Sequence, residues 1–69
     1  MTYDKFKEAV FLIKEIYGKE FRLDINELVI KQSGPSYVVK RGDKEVIIRQ
    51  MLIDDKLSID IKNELRKLV

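Results

Sequence analysis

The carboxylates near the end of the chain are the residues most suited to metal or acid–base chemistry. Asp54, Asp55 and Asp60 would offer oxygen ligands to a hard cation, or act as proton donors and acceptors, if they converged. Their spacing matches no calcium-binding loop, and helix capping accounts for aspartates at such positions. We therefore expect no metal site and no cofactor.

Nucleophilic and acid–base catalysis lack their usual residues in this chain. There is no His and no Cys, so the commonest proton carrier at neutral pH and the best soft nucleophile are missing. Neither a phosphate-binding loop nor a dinucleotide-binding glycine motif occurs, and no histidine is present to activate a hydroxyl. The sequence therefore predicts a non-enzymatic binding module.

The positive charge is concentrated in one segment. Residues 31–49 carry five basic and two acidic side chains, whereas the whole chain has a formal net charge of only +2. Basic side chains on a strand hairpin are typical of phosphate contacts, and an aromatic ring nearby is able to stack on a base. The candidate phosphate-contacting residues are Lys40, Arg41, Lys44 and Arg49, with Tyr37 as the candidate stacking ring. The alternative is that the same cations protect an exposed sheet edge from pairing with other chains.

An amphipathic helix is the first element that would position these residues. Its apolar residues follow helical spacing, with Thr2 as N-cap and Gly18 as stop. They are Tyr3, Phe6, Val10, Ile13 and Tyr17, and the stripe is widened by Ala9, Leu12 and Ile16. A stripe of about half the circumference predicts either a helix buried beneath a sheet and a second helix, or a homodimer seam.

Phe11 does not belong to this apolar stripe. Its direction on the helix lies between Asp4 and Lys7, on the charged side. We therefore expect Phe11 to be exposed and to be a candidate contact for a protein partner.

The middle of the chain changes to the alternation typical of strands. Phe21, Leu23 and Ile25 alternate with polar residues, and residues 28–30 lead into Ser33-Gly34-Pro35-Ser36, which favours a turn between antiparallel strands. A short helix over residues 25–32, closed by Gly34, is the competing interpretation.

Gly42-Asp43 is the clearest hairpin signal, with Gly at the first position of a type II′ turn. A two-residue loop predicts these pairs: Arg41 with Lys44, Lys40 with Glu45, Val39 with Val46, Val38 with Ile47, and Tyr37 with Ile48. We assign Val39, Val46, Tyr37 and Ile48 to the core. Lys40 and Glu45 then predict a cross-strand ion pair, whereas Arg41 opposite Lys44 is unfavourable without an anion nearby.

A second helix is predicted at the end of the chain. Leu57, Ile61, Leu65 and Leu68 share one helical face, and basic residues follow towards the C-terminus. The helix is expected to begin at about residue 56 or 59, with Asp55 or Ser58 as N-cap.

Together these elements predict a single α+β domain over residues 1–69. Its order is helix, two- to three-stranded antiparallel meander, helix (αβββα). This order resembles the double-stranded-RNA-binding domain, and Gly34-Pro35 resembles the Gly-Pro loop between the first two strands of that family. That family continues with a residue and then His, where Ser36 and Tyr37 stand here. It also opens its last helix with Lys-Lys-x-Ala-Lys, where this chain has Asp54-Asp55-Lys56. The resemblance therefore implies a shared topology.

A winged-helix variant is a second comparison of topology. Residues 41–44 would form its wing, which requires a helix over residues 25–32 and a further groove-reading helix.

Composition bounds the environment and the partners. The chain has no apolar segment long enough for a signal peptide or a membrane span, which predicts a protein that is not membrane-bound. The absence of Cys favours a reducing compartment, the cytoplasm. The expected partner is nucleic acid, bound weakly and electrostatically. The alternative is a protein-interaction or homodimeric adaptor module that uses the wide apolar face of the first helix, Phe11 or an open sheet edge.

Overall fold

Helices pack against one face of a three-stranded antiparallel sheet. The computed structural model describes residues 2–69, with side chains from Lys5 onward. Helix α1 (Thr2–Phe21) precedes strands β1 (Val29–Ser33), β2 (Ser36–Arg41) and β3 (Lys44–Arg49), which lie in the order β1-β2-β3. Helices α2 (Gln50–Asp54) and α3 (Ser58–Leu65) follow, with single 3-10 turns at Ile25–Glu27 and Arg66–Leu68. The predicted αβββα architecture is confirmed.

The wide apolar stripe of α1 serves the core of this one chain. Ala9, Ile13, Ile16 and Tyr17 are buried, and α1 packs against α3. Of the two explanations for the stripe, the structure therefore supports the first, in which α1 is buried beneath both the sheet and a second helix. The Thr2 cap and the place of Tyr3 in the stripe lie outside the described side chains.

The prediction that Gly18 ends α1 is wrong. The helix continues to Phe21 and ends where Arg22 adopts a left-handed conformation (φ 54°), its N–H donating to the Gly18 carbonyl at 3.0 Å. Gly18 has a packing role instead, because a Cβ atom there would lie 3.2 Å from Cγ2 of Ile25. The glycine allows the segment after the helix to approach α1 closely.

Residues 21–28 form neither the strand that their alternation indicated nor a helix over 25–32. Asp24 caps a single 3-10 turn by accepting from the Asn26 N–H at 2.9 Å, and Leu28 enters the core before β1 begins. A helix here would remove the strand that pairs with β2. Since this helix is absent, the winged-helix comparison is wrong.

Both hairpins have two-residue turns with glycine first. Gly34 has φ 57° and Gly42 has φ 62°, while neither Pro35 nor Asp43 has a positive φ, as type II′ turns require. The β2–β3 register is the predicted one at all five pairs, and β1 pairs with β2 from Val29↔Lys40 to Ser33↔Ser36. Side chains on the predicted core face of β2 and β3 are buried, which confirms that assignment.

Helix α2 is an element that the sequence analysis missed. Gln50 begins it and links it to the sheet, since the Gln50 N–H donates to the Pro35 carbonyl at 2.9 Å and its Oε1 accepts from the Tyr37 hydroxyl. Its Nε2 donates to Asp54 Oδ1 at 2.8 Å. A helix of five residues is too short to show helical periodicity.

A Schellman motif joins α2 to α3. The Leu57 N–H donates to the Leu52 carbonyl at 3.0 Å and the Lys56 N–H to the Ile53 carbonyl at 3.1 Å, with Lys56 left-handed at φ 51°. Asp55 therefore caps the end of α2, and α3 follows Leu57 without a side-chain cap. The prediction of Asp55 or Ser58 as N-cap is wrong because the motif fixes residues 55–57. The predicted apolar face is confirmed at Ile61 and Leu65 of α3 and at Leu68 in the 3-10 turn that follows, which are all buried, whereas Leu57 lies before the helix and is exposed.

Replacing Lys56 with glycine should stabilise the protein. Because Lys56 holds a conformation that costs an L-residue about 1 kcal/mol more than it costs glycine, we expect Lys56→Gly to raise the free energy of unfolding by up to about 1 kcal/mol. Urea denaturation followed by circular dichroism measures this change. Lys56→Ala is the control, since it removes the same charge and keeps the Cβ. A glycine variant less stable than the alanine variant would contradict the assignment.

Candidate nucleic-acid interface

The face of the sheet turned away from the helices carries three rows of side chains. We call these nine residues the open face. The antiparallel pairing places one residue from each strand in each row. The rows are Val29–Lys40–Glu45, Lys31–Val38–Ile47 and Ser33–Ser36–Arg49. Because strands lie about 4.8 Å apart and alternate residues about 6.8 Å apart, the Cα atoms of Lys31, Lys40 and Arg49 are about 8–14 Å from one another.

The open face carries the whole net charge of the protein. Three of the 14 basic residues and one of the 12 acidic residues lie on it, so the remaining eleven of each sign cancel. The side chains of Lys31, Lys40 and Arg49 form no hydrogen bond or ion pair with any residue that the structure describes. Their charges are therefore available to a partner.

Lys40 and Glu45 lie opposite each other in the register, as predicted, but their side chains form no ion pair within the described residues. Lys44 is exposed at the tip of the β2–β3 hairpin. Its position alternates with that of Glu45, so Lys44 lies at the margin of the open face and not on it.

Arg41 is committed to the fold. It lies on the core side of β2, where its Nε donates to Glu27 Oε2 at 3.0 Å and its Nη1 donates to the Leu68 carbonyl at 3.0 Å. The Glu27 hydrogen bond raises the pKa of Arg41 above its already high value. The pairing of Arg41 opposite Lys44 is unfavourable without an anion nearby, and Glu27 supplies that anion. The structure therefore separates Arg41 from the other predicted phosphate contacts.

Tyr37 is fully buried beneath the sheet. Its ring packs against Phe6 with centroids 6.1 Å apart, and its hydroxyl donates to Gln50. Burial raises the pKa of this hydroxyl. The ring is not accessible to a base, which corrects the prediction that it stacks.

No protein-family model, curated protein or solved structure matches this chain.

The carboxylates of the sequence analysis do not converge. Asp54 accepts from Gln50, Asp55 ends α2, and Asp60 lies in the first turn of α3. Among the described side chains, those of residues 5–69, no group of three or more potential metal ligands comes together. Over the same range, no helix has both the length and the apolarity that crossing a bilayer requires.

Phe11 lies where its helical direction predicted, exposed at 69% on the side of α1 away from the core. It is far from the open face, since the helices occupy the opposite side of the sheet. Any role for Phe11 is therefore separate from that of the cations.

Lys31 is the cation of the open face that is not among the candidate phosphate contacts predicted from the sequence. It was counted in the basic segment, but residues 25–32 had a helical alternative. The signal that places it is the Gly34-Pro35 turn: a two-residue loop puts Lys31 opposite Val38, and hence in one row with Ile47.

Proposed function

We propose that this protein is a non-enzymatic, cytoplasmic module that binds the phosphate backbone of nucleic acid through Lys31, Lys40 and Arg49 on the open face. The observation that carries the proposal is that the net positive charge lies entirely on this face, on cations that have no partner among the described residues. Lys44 at the hairpin tip adds a fourth cation at the margin.

The mechanism is electrostatic. The three cations lie about one to two Debye lengths from one another at physiological salt, and a polyanion that spans all three positions interacts with each of them. Each phosphate contact releases condensed counterions, which is a source of free energy that does not depend on base sequence. Three contacts on B-DNA predict a slope of about −2.7 in log K against log salt, or a loss of about 40-fold in affinity between 50 and 200 mM salt.

Substituting the three cations of the open face together tests the proposal. We expect Lys31→Ala/Lys40→Ala/Arg49→Ala to weaken binding on the order of 10²- to 10³-fold at 50 mM salt and to reduce the magnitude of the salt slope by about 2.7. Fluorescence anisotropy with labelled oligonucleotides measures both quantities. The matched control is Lys5→Ala/Lys14→Ala/Arg66→Ala, which removes the same charge from the helical side.

Glu45→Gln gives a test in the opposite direction. This side chain is the only acidic group on the open face, and neutralising it removes repulsion of phosphate. We expect severalfold tighter binding at low salt and convergence with the wild type as salt screens the charge. Equal losses in the two triple variants, together with no gain from Glu45→Gln, would show that net charge and not the open face governs binding.

Protein interaction is the second candidate, and the exposed Phe11 ring favours it. A large ring surrounded by charged residues is suited to anchor a protein contact. If no oligonucleotide binds in a salt-dependent way, the nucleic-acid proposal fails, and protein interaction through Phe11 is then the favoured function.

A further inference from the structure

We propose that the open face binds duplex DNA in the minor groove, with Ile47 as an apolar wedge between base pairs. This inference rests on the proposed function and names its ligand. It follows from the uncharged residues of the open face, which phosphate contacts leave unexplained.

Aromatic rings are absent from the open face. Binding of single strands relies on exposed aromatic side chains on which successive bases stack. Among the described side chains, Tyr37 and Tyr17 are buried, Phe6 and Phe21 pack against these two rings, and Phe11 lies on the far side of α1. The open face is therefore suited to a duplex, whose bases are already stacked.

Aliphatic side chains take the place of rings on this face. Ile47 is 57% exposed and Val29 is 50% exposed, and the partly buried Val38 on the middle strand pairs with Ile47 and lies diagonally from Val29. Ile47 is two residues before Arg49 on the same strand and shares its row with Lys31. Proteins that open the minor groove insert such apolar side chains between base steps while nearby cations contact the backbone.

The width of the sheet requires an opened minor groove. Three strands span about 10 Å, against about 6 Å for the minor groove of B-DNA. The sheet therefore fits only if the groove widens, and a wedge that unstacks one base step widens it and bends the duplex.

The open face lacks the amide side chains that read adenine in the major groove, and its cations are assigned to phosphates, which carry no sequence information. The nine residues include no Asn or Gln, the side chains that pair with adenine there. Binding is therefore expected to depend on how easily the duplex deforms and little on base identity.

Ile47→Ala separates the wedge from the electrostatic contacts. The probes are a duplex DNA of about 20–30 base pairs with a dye at each end, one of its single strands, and the RNA duplex of equivalent sequence. We expect the wild type to bind duplex DNA at least about tenfold tighter than the other two probes and to increase energy transfer between the dyes, because the duplex bends. Ile47→Ala should bind duplex DNA about tenfold more weakly, with an unchanged salt slope and no bend. A minor-groove-binding polyamide should compete with the wild type.

Ile59→Ala is the matched control. Ile59 is also an exposed isoleucine, at 71%, but it lies on α3 in the helical layer. The Ile59→Ala variant should bind and bend DNA as the wild type does.

The possible failures are distinguishable. Tighter binding to single strands or to duplex RNA, or a bend that persists in Ile47→Ala, would overturn the minor-groove inference and leave phosphate binding standing. Absence of salt-dependent binding to all three probes would overturn the proposed function itself and shift the weight to a protein partner.

Discussion

Leu65→Ala is expected to lower the free energy of unfolding by about 2–5 kcal/mol. The Leu65 side chain is fully buried in α3, among core residues contributed by the other helices and by the sheet. Its removal leaves a cavity that a thin core closes only in part. A domain of 69 residues has a total stability of roughly 3–10 kcal/mol, so this one change should remove about half of it. Urea denaturation followed by circular dichroism measures the loss.

Leu57→Ala is the control for this experiment. Leu57 precedes α3 and is 38% exposed, so the same truncation should cost less than about 1.5 kcal/mol. Similar losses in the two variants would mean that α3 does not bury the face that includes Leu65.

Tyr17→Phe should have the opposite effect, raising the free energy of unfolding by about 1–2 kcal/mol. The Tyr17 hydroxyl is buried and has no hydrogen-bond partner among the side chains and backbone groups that the structure describes. Its removal therefore abolishes a desolvation cost and keeps the ring, which packs against Phe21 with centroids 5.7 Å apart. Tyr37→Phe is the matched comparison, because the Tyr37 hydroxyl donates to Gln50. That variant should lose about 1 kcal/mol, since the Gln50 oxygen loses its donor.

The two buried tyrosines, Tyr17 and Tyr37, also predict how the free energy of unfolding changes at alkaline pH. Burial raises the pKa of both tyrosines above the ordinary value of 10.0. The unfolded chain therefore releases these protons first, so stability is retained below about pH 10 and falls as the pH rises towards the folded pKa values. Tyr17→Phe should reduce that fall. Denaturation curves at neutral pH and above pH 10 test it. A Tyr17→Phe variant less stable than the wild type at neutral pH would show that the hydroxyl has a partner, such as a buried water.

Local geometry explains which parts of the fold were predictable from sequence. Gly42-Asp43 sets the β2–β3 register by itself, because a two-residue turn determines every pair that follows. The burial of Tyr37 and the exposure of Phe11 follow from the same kind of counting along a strand or a helix.

The remaining features depend on contacts that no local pattern contains. Arg41 looked like a phosphate contact because its partners, Glu27 and the Leu68 carbonyl, are 14 and 27 residues away in sequence. Gly18 looked like a helix stop because glycine is common there, whereas its role depends on Ile25. Tyr37 was placed both in the core and in the candidate site, and only one of these roles is compatible with its buried position.

The two glycine-led turns also have a consequence for folding kinetics. Every pair in the sheet joins residues at most 13 positions apart, so loop closure for the meander costs little entropy. The packing of α1 against α3, by contrast, joins segments separated by the whole sheet. We therefore expect the meander to form by local search and the docking of α1 onto α3 to be the slow, long-range event that determines the folding rate. Substitutions between these two helices would then slow folding, whereas substitutions on the open face would leave the rate unchanged.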